Sequence, residues 1–424
     1  MNYNPSIHKL SNGVTVILDP MELETTYVKV HFSTGSRDEA PNEYGLTHFC
    51  EHMLCKGTPR FPSKKSIDDY LDYHGGTTGA LTGNARLEFY GRILGDNLNV
   101  LIDFLGDRLQ NSLFDPDKIE IERSVICDEL RRALDDDSRQ FTDFLSKELF
   151  NYATFSYRNL GTFENINSFT RDQMLDFLSQ RLSAKNCIIG ISGCINNTAS
   201  VLDQLEKSFA FLPTHFVEQN TAIEYTPTVA HNSKGDKQNV RLCIGMPDIW
   251  SMDYSERYNN ICVGRYERYL LRRIGDILRQ DNGLVYGFGG FGIGNEKITL
   301  TGYTTQTSVE NLEQVVALIA KNSYDIYHNL NITAEDLDRY FRKDRLGEAN
   351  WLETSSDRCN KLISFYEDYM RTYDMYGTTA MFRSITVADV YKYSRGYYDG
   401  PISIITQGAD YTTDLMGVWY ENFK

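Results

Sequence analysis

Gly45-Leu-Thr-His48-Phe-Cys-Glu51-His52-Met53 is the stretch that most restricts the fold and chemistry of this chain. Apolar residues recur at helical spacing from about Tyr44 to Leu54, which predicts a helix. Residues four apart lie on one face of a helix, so His48 and His52 present two imidazoles to the same point. Glu51 lies at the edge of that face, close to any water held there. The H-x-x-E-H pattern therefore predicts a metal site with an adjacent carboxylate.

The third ligand of such a site must come from another segment, because a catalytic zinc ion takes three protein ligands and keeps one position open. The helical pattern of Pro116–Leu134, with Asp115 as N-cap, offers carboxylates for this role. Glu122 and Glu129 share one face, which suits one ligand plus one supporting group. Spacing alone leaves the choice open among Glu120, Glu122, Asp128 and Glu129. The alternative is an exposed helix with two unrelated histidines.

Strand and helix patterns alternate through the rest of the first half. Val-, Ile- and Thr-rich stretches predict strands, and apolar residues at helical spacing predict helices. The predicted strands are Gly13–Leu18, Tyr27–Ser33, Thr77–Thr82, Leu87–Leu94 and Asn186–Ser192. The predicted helices, besides those above, are Ser66–Tyr73, Asn97–Gln110, Thr170–Leu182 and Ala199–Phe211. This half is therefore expected to be a mixed α and β domain.

The second half repeats this rhythm after a stretch, Pro213–Lys237, that loses periodicity and resembles a linker. Strands are predicted at Val240–Met246, Val285–Phe291, Lys297–Tyr303 and Ile402–Thr406, with helices at Tyr254–Leu278 and from about Val309. The predicted fold class is α+β: two similar duplicated α+β domains, each a mostly antiparallel sheet packed against helices. The predicted domains are residues 1–213 and 238–424, joined by a linker at 214–237.

Composition excludes several classes of protein. The chain has 424 residues and a net charge of −15, which argues against nucleic-acid binding and would favour basic substrates. No run approaches the ~18 apolar residues of a membrane helix, and no signal-peptide pattern is visible. The eight cysteines are scattered, without a CxxC pair. Cysteines used in this way are typical of reduced thiols, so we expect a cytoplasmic protein that binds neither nucleic acid nor membrane.

The residues quoted above resemble the insulinase, pitrilysin and mitochondrial processing peptidase family. The resemblance starts at Leu10-Ser-Asn-Gly-Val-Thr-Val16 and Gly35-Ser-Arg-Asp-Glu39, and it continues through Gly45–Thr58 and Ile121–Glu129. In the second half, Leu278-Arg279-Gln-Asp-Asn-Gly-Leu-Val-Tyr286 is similar to the arginine–tyrosine pair of the family. The resemblance therefore covers nearly the whole chain, and it implies a zinc metalloendopeptidase that encloses peptides or small precursor proteins in a chamber.

The resemblance also implies a role for each matching residue. His48, His52 and Glu129 match the zinc ligands, with Glu129 placed 77 residues after His52 (129 − 52 = 77). Glu51 matches the residue that activates the attacking water, and Glu122 matches a glutamate that supports the site. Arg279 and Tyr286 match the pair that holds the substrate backbone and steadies the intermediate, and one Zn²⁺ per chain is expected.

The resemblance implies that substrate pairs with the strand predicted at Thr77–Thr82 and is held by Thr78 to Thr82, but this stretch departs from the family pattern. Relatives usually carry Asn-Ala-hydrophobic-Thr there, whereas this chain has Gly79-Ala80-Leu81-Thr82 after Thr78, so Gly79 removes a side-chain amide. Cys55, three residues after His52, could be a thiolate ligand, although a small buried apolar side chain is the better interpretation. A G-x-G-x-x-G pattern at Gly287, Gly289 and Gly292 precedes strand-like residues, which disfavours nucleotide binding.

Assembly and biological role are further implications of the resemblance. Relatives of this length pair two chains, so a homodimer is expected in which Arg279 and Tyr286 act on the zinc site of the partner. A heterodimer with an inactive homologue is the alternative, and so is a non-catalytic or partner-dependent processing subunit. Maturation of one precursor and general degradation of peptides are both compatible with the sequence.

Overall fold

The structure, a computed structural model, describes residues 3–150, 159–215, 224–294 and 299–424. Within these residues the strands are β1 (Ser6–Lys9), β2 (Thr15–Pro20), β3 (Thr25–Phe32), β4 (Thr77–Thr82), β5 (Leu87–Leu94), β6 (Cys187–Gly193), β7 (Val229–Ser233), β8 (Asn239–Pro247), β9 (Phe288–Gly294), β10 (Thr299–Ser308) and β11 (Ser403–Gly408). The helices are α1 (Leu46–Leu54), α2 (Lys64–Tyr73), α3 (Leu98–Asn111), α4 (Pro116–Asp135), α5 (Asp137–Leu149), α6 (Phe163–Ser168), α7 (Arg171–Arg181), α8 (Thr198–Phe209), α9 (Arg257–Gly275), α10 (Val309–His328), α11 (Ala334–Leu352), α12 (Ser355–Tyr369), α13 (Met375–Ser384), α14 (Val387–Tyr393) and α15 (Leu415–Asn422).

The chain forms two compact units that are not contiguous in sequence. The first comprises Met1–Gln140, Ala153–Thr221 and Glu348–Tyr373, and the second comprises Phe141–Tyr152, Ala222–Gly347 and Asp374–Lys424. The units therefore differ from the predicted domains, because a late segment joins the first unit and a short early segment joins the second. Part of the predicted linker, 216–223, lies outside the described residues, and another part forms β7.

The sheet of the first unit has six strands in the order β1-β2-β6-β3-β5-β4. Only the β2–β6 pair is parallel, and the other four pairs are antiparallel. Every residue of β6 is buried, as expected for a central strand whose two faces are both covered. Among the described residues, strand β4 pairs with β5 on one side and with no strand on the other, which leaves a free edge to which another strand can add. Near its end, the Thr82 carbonyl oxygen accepts a hydrogen bond from Nδ2 of Asn159 at 3.1 Å.

The sheet of the second unit repeats this arrangement. Its order is β7-β11-β8-β10-β9, with one parallel pair, β7–β11, followed by three antiparallel pairs. This order matches β2-β6-β3-β5-β4 strand for strand, including the position of the parallel pair. The predicted duplicated α+β architecture is therefore confirmed.

Helix α12 explains why a late segment belongs to the first unit. It packs on β2, β3 and β6, and a Cβ added to Gly190 of β6 would lie 2.6 Å from the Cys359 sulfur. Arg358 forms a bidentate, fully buried ion pair with Asp19 of β2, with 2.6 Å between Nε and Oδ2. A buried charge pair needs this geometry to offset desolvation, and sequence order gave no indication of it.

Three predicted elements of the second half had wrong boundaries. The strand predicted at Lys297–Tyr303 extends to Ser308. The strand predicted at Val285–Phe291 begins only at Phe288, so Tyr286 lies in the preceding loop. The helix predicted from Tyr254 starts with a short 3-10 turn, Tyr254–Glu256, and continues beyond Gly275 as a π-helical segment, Asp276–Asp281. Most other predicted helices and strands lie within two residues of the observed ones. Across the described residues, none of the helices has the length and apolar character required to traverse a lipid bilayer.

Candidate metal centre

Helix α1 begins at a glycine and is capped from outside the helix. Gly45 has φ +94°, and an added Cβ would lie 2.6 Å from the carbonyl oxygen of Leu160, so this position requires glycine. The buried Glu39 carboxylate accepts the backbone N–H groups of Gly45 and Thr47, each at 2.8 Å. It thereby satisfies amides that the first helical turn leaves unpaired. Burial raises the pKa of Glu39 to about 8. No local sequence pattern indicates this role for Glu39, the last residue of the Gly35–Glu39 stretch.

Three of the predicted ligands meet in the structure. His48 and His52 are one turn apart on α1, and their ring centroids are 4.5 Å apart. The Nε2 atom of each ring is 3.8 Å from Oε2 of Glu129, which comes from α4. Within the described residues, this group is the one set of three His, Cys, Asp or Glu side chains with ligand atoms all within 4.8 Å of one another. Glu120, Asp128 and Cys55 are not part of it.

Glu122 lies behind His52 and fixes its orientation. Its Oε2 is 2.8 Å from Nδ1 of His52, and its Oε1 is 2.6 Å from Nζ of Lys56. Burial opposes ionisation of Glu122, but these two hydrogen bonds outweigh it, so the pKa of the carboxyl lies below its usual value. An ionised acceptor at Nδ1 places the proton there and leaves Nε2 of His52 with a free lone pair facing Glu129. No local sequence pattern indicates the role of Lys56, because it depends on the contact with Glu122 on a distant helix.

The His48 ring is held in its neutral form. Burial, assisted by the neighbouring His52, lowers the pKa of His48 to about 3. A neutral imidazole keeps the lone pair that a metal ion requires. The Nδ1 atom of His48 is buried and has no hydrogen-bond partner among the described residues.

The donor set fits zinc. Zinc prefers nitrogen, sulfur and carboxylate ligands in a tetrahedron, and bonds of ~2.1 Å place neighbouring donor atoms about 3.4 Å apart. The observed 3.8 Å separations from Glu129 to both rings lie a few tenths of an ångström above this value, within the reach of small side-chain rotations. Two imidazoles and one carboxylate also give the three-ligand set of catalytic zinc sites.

Glu51 lies beside the group of His48, His52 and Glu129 and is not one of the candidate metal ligands. Its Oε2 accepts a hydrogen bond of 2.7 Å from Oγ1 of Thr82, the last residue of β4. Burial raises the pKa of Glu51 above its usual value despite this hydrogen bond. A raised pKa moves a carboxylate towards the range in which it can both take and return a proton near neutral pH. Thr82 therefore links the predicted base to the free edge of the sheet.

The five residues predicted to hold substrate all lie on β4. Thr78 and Thr82 point to the face of the sheet that α1 and α3 cover. On this face Arg108 of α3 donates to Thr78 at 3.1 Å, and Thr82 donates to Glu51 of α1. Gly79 and Leu81, with Ala80 between them, alternate with these threonines along the strand. A Cβ on Gly79 would lie 2.7 Å from the ring of Tyr90 on β5, so the ring occupies the space that a side chain at position 79 would need.

Arg279 and Tyr286 lie in the second unit and are close to each other. The Arg279 guanidinium is 5.7 Å from the centroid of the Tyr286 ring, a cation–π distance. Tyr286 is 92% exposed and Arg279 is also exposed, so both groups are accessible to a ligand. Gly289 and Gly292 of the G-x-G-x-x-G pattern lie within β9, which pairs with β10, so the pattern opens no helix.

Family models match both halves of the chain. One described as "Insulinase (Peptidase family M16)" matches residues 15–162, and one described as "Peptidase M16 inactive domain" matches residues 168–343. The first match contains His48, Glu51, His52 and Glu129. The second match contains Arg279 and Tyr286.

Individual relatives agree with these matches. The chain is 32% identical over 204 residues to "Mitochondrial-processing peptidase subunit beta" of Dictyostelium discoideum, which covers 48% of this chain and 43% of that protein. It is 30% identical over 213 residues to an "Uncharacterized zinc protease" of Rickettsia bellii, which covers 50% and 51%. The chain thus spans about half the length of these two relatives. The solved Pseudomonas fluorescens "peptidase M16 inactive domain" shares the fold, with TM-score 0.82, 16% identity and coverage of 97% and 99%.

Proposed function

The chain belongs to the insulinase family of peptidases, family M16, and from this we propose that it is a zinc-dependent endopeptidase. The observation that carries the proposal is the approach of two histidine Nε2 atoms on one helix to the same Glu129 oxygen, at 3.8 Å each. The adjacent Glu51 supplies a carboxylate that is not consumed as a ligand. One Zn²⁺ per chain is the expected stoichiometry.

His48, His52 and Glu129 would hold the ion, and Glu122 would keep Nε2 of His52 available by fixing the proton on Nδ1. When bound, zinc supplies Lewis-acid polarisation of the reacting groups. Glu51 takes a proton from the attacking water and later returns it to the leaving amine. Thr82 holds one carboxylate oxygen of Glu51 at 2.7 Å, which orients the carboxylate during both transfers.

The substrate would bind as an additional strand along β4. Among the described residues no other strand pairs with its free edge, so the backbone of an extended peptide can pair there, which gives affinity with little dependence on sequence. Because Thr82 contacts Glu51, a peptide paired with the end of β4 would lie beside the base. Peptides and small precursor proteins are therefore the proposed substrates, enclosed in a chamber as the family resemblance implies.

Replacement of Glu51 by Gln tests the proposal. We expect zinc content to remain near one ion per chain, measured by metal analysis, while cleavage of a peptide library falls by about 10²- to 10⁴-fold or more. Replacement of the exposed Glu120 by Gln on α4 is the matched control, and it should change neither value. Full activity of the Glu51 variant would remove the assigned base. A wild-type chain that binds no zinc would instead favour the non-catalytic subunit.

We propose a homodimer as the working assembly, with Arg279 and Tyr286 acting on the substrate held by the partner. The exposure of Tyr286 and its proximity to Arg279 support a role in binding. Mixing a Glu51→Gln chain with a Tyr286→Phe chain should restore part of the activity that each lacks alone. No recovery would argue against a shared site, and a monomeric mass in solution would do the same.

We also propose a cytoplasmic location. All eight cysteines are free in the structure, which is the usual state of thiols in a reducing compartment. Cell fractionation with a tagged full-length protein would test this, and recovery from an oxidising compartment would contradict it.

A further inference from the structure

The first unit contains a cavity of about 630 Å³ on the face of its sheet opposite α1. The alternation of side chains along β4 defines the two faces. Thr82 points to Glu51 of α1, whereas its neighbour Leu81 lines the cavity. Helix α12 forms the far wall, and the free edge of β4 lies at the near side. A peptide added along β4 would therefore border the metal centre with one face and this cavity with the other.

The charges that line the cavity do not balance. Four side chains are cationic or can be, Lys29, His31, Arg86 and Arg92, and two are carboxylates, Glu88 and Glu367. Lys29 lies 2.8 Å from Glu88, and the two ring nitrogens of His31 lie 3.0 Å from Glu88 and 3.1 Å from Glu367. A histidine between two carboxylates donates from both nitrogens and is protonated. The cavity therefore has a surplus of about two positive charges.

The surplus lies on two arginines near the ends of the β4–β5 pair. Arg92 is opposite Thr77 at the start of β4, and Arg86 precedes β5 in the connecting hairpin. Both side chains are exposed, and Arg92 donates to the neutral hydroxyl of Ser356 at 3.1 Å. Neither arginine has a carboxylate within ion-pair distance in the part of the chain that the structure describes. Both arginines can therefore form an ion pair with an anionic group of a ligand.

Gly79 leaves room for the ring of Tyr90 on this face of the sheet. Because it has no side chain, the Tyr90 ring lies over β4, where a Cβ would be 2.7 Å from the ring. Tyr90 stacks on Tyr27, with centroids 6.0 Å apart and planes inclined by 29°, and Nζ of Lys29 is 5.9 Å from its ring. Both rings line the cavity together with the two arginines. The glycine that departs from the family pattern is thus matched by Tyr90 on β5, whose ring fills the space of the missing side chain.

We propose that this cavity is a substrate subsite that receives an acidic side chain of the peptide paired with β4. The proposal rests on the proposed peptidase function and adds a specificity to it. Side chains of a strand alternate between faces, so every second substrate residue faces the cavity. A glutamate at such a position forms an ion pair with Arg86 or Arg92 beside the Tyr90 ring. This preference is opposite to the one for basic peptides that the net charge of −15 favours.

Peptide binding to the zinc-loaded Glu51→Gln chain tests the proposal without turnover. A fluorescent peptide would carry one glutamate, moved stepwise along a neutral sequence, and each version would be compared with its glutamine analogue. We expect the glutamate version to bind about 3- to 5-fold more tightly for each arginine it reaches, and only at positions two residues apart. The ratio should approach one at ~1 M salt, where exposed charges are screened.

Substitutions in the cavity give the matching readout. Arg86→Gln and Arg92→Gln should each reduce the glutamate-to-glutamine ratio, and the double variant should abolish it, while binding of the glutamine peptide stays unchanged. Arg92→Lys, which keeps the charge, should retain most of the ratio. Arg60→Gln is the control, because Arg60 is an exposed cation near Asp103 and does not line the cavity.

Equal binding of glutamate and glutamine peptides at every position would overturn the proposal, and so would a preference that survives the double arginine variant. The first result depends only on changes in the peptide, so misfolding of a variant cannot cause it. The second uses the double variant, and thermal melting would check that this variant is folded. Cleavage of neutral peptides by the wild type, without any charge preference, would remove the subsite and leave the peptidase function intact. A charge preference in binding, with no cleavage of any peptide, would keep the subsite and remove the peptidase.

Discussion

Removal of the Glu122 carboxylate should weaken zinc binding although Glu122 is not a ligand. Its two oxygens contact Nδ1 of His52 at 2.8 Å and Nζ of Lys56 at 2.6 Å, and only 6% of its side chain is exposed. Loss of the group that orients a metal-ligating histidine typically costs 10- to 100-fold in affinity, about 1.4–2.8 kcal/mol. Glu122→Ala removes both contacts and leaves Lys56 without its counter-ion, so its loss of zinc affinity should be near 100-fold. Glu122→Gln keeps an acceptor for His52, so its loss of zinc affinity should be near 10-fold.

Competition with a chelator of known zinc affinity measures this effect on purified chains. Glu120→Gln is the control, since Glu120 lies on the same helix, is exposed, and pairs with Arg123 at 3.1 Å. Its zinc affinity should equal that of the wild type. The reasoning is refuted if Glu122→Ala binds zinc as tightly as the wild type, or if the control weakens binding to the same extent.

Three further predictions concern stability, each measured by urea unfolding. Gly45→Ala should destabilise the protein by about 1–3 kcal/mol, because φ is +94° and the new Cβ would lie 2.6 Å from a carbonyl oxygen; an unchanged midpoint would contradict the strain. Asp19→Ala should cost about 3–5 kcal/mol by leaving Arg358 buried without a counter-ion, and adding Arg358→Met should recover part of it; no recovery would exclude an unpaired charge as the cause. Burial opposes ionisation of Glu88, but its contacts, that with His31 first, lower its pKa from 4.5 to about 2, so its stabilising contribution is present above pH 4.5 and lost as pH falls towards 2. Glu88→Gln should therefore flatten the loss of stability over that range, and an unaltered acid limb would refute this assignment.

The metal centre shows which parts of a site can be read from sequence. His48 and His52 follow from four-residue spacing alone, because a helix places them on one face whatever surrounds it. Glu129 could be chosen among four carboxylates only through the family resemblance, since its distance in space depends on how α4 packs against α1. Glu39 and Lys56 carried no local signal, because each acts through a contact with a segment distant in sequence.

The fold shows the same division between local and distant information. Strands with alternating or β-branched residues, such as β4 and β5, were predicted at their observed bounds. The start of β9 was predicted three residues early, because a glycine-rich stretch has too few side chains to define a register. The membership of α12 in the first unit depends on the Arg358–Asp19 pair and on packing at Gly190, and no local pattern reports such contacts.

A crystal structure of the zinc-loaded chain, with anomalous data collected at the zinc edge, tests the central claim most directly. We predict one anomalous peak per chain, within about 2.2 Å of Nε2 of His48, Nε2 of His52 and a carboxylate oxygen of Glu129. Glu51 should stand near the ion without bonding to it. A peak at another set of residues, or one bonded to both rings with Glu129 turned away, would contradict the account.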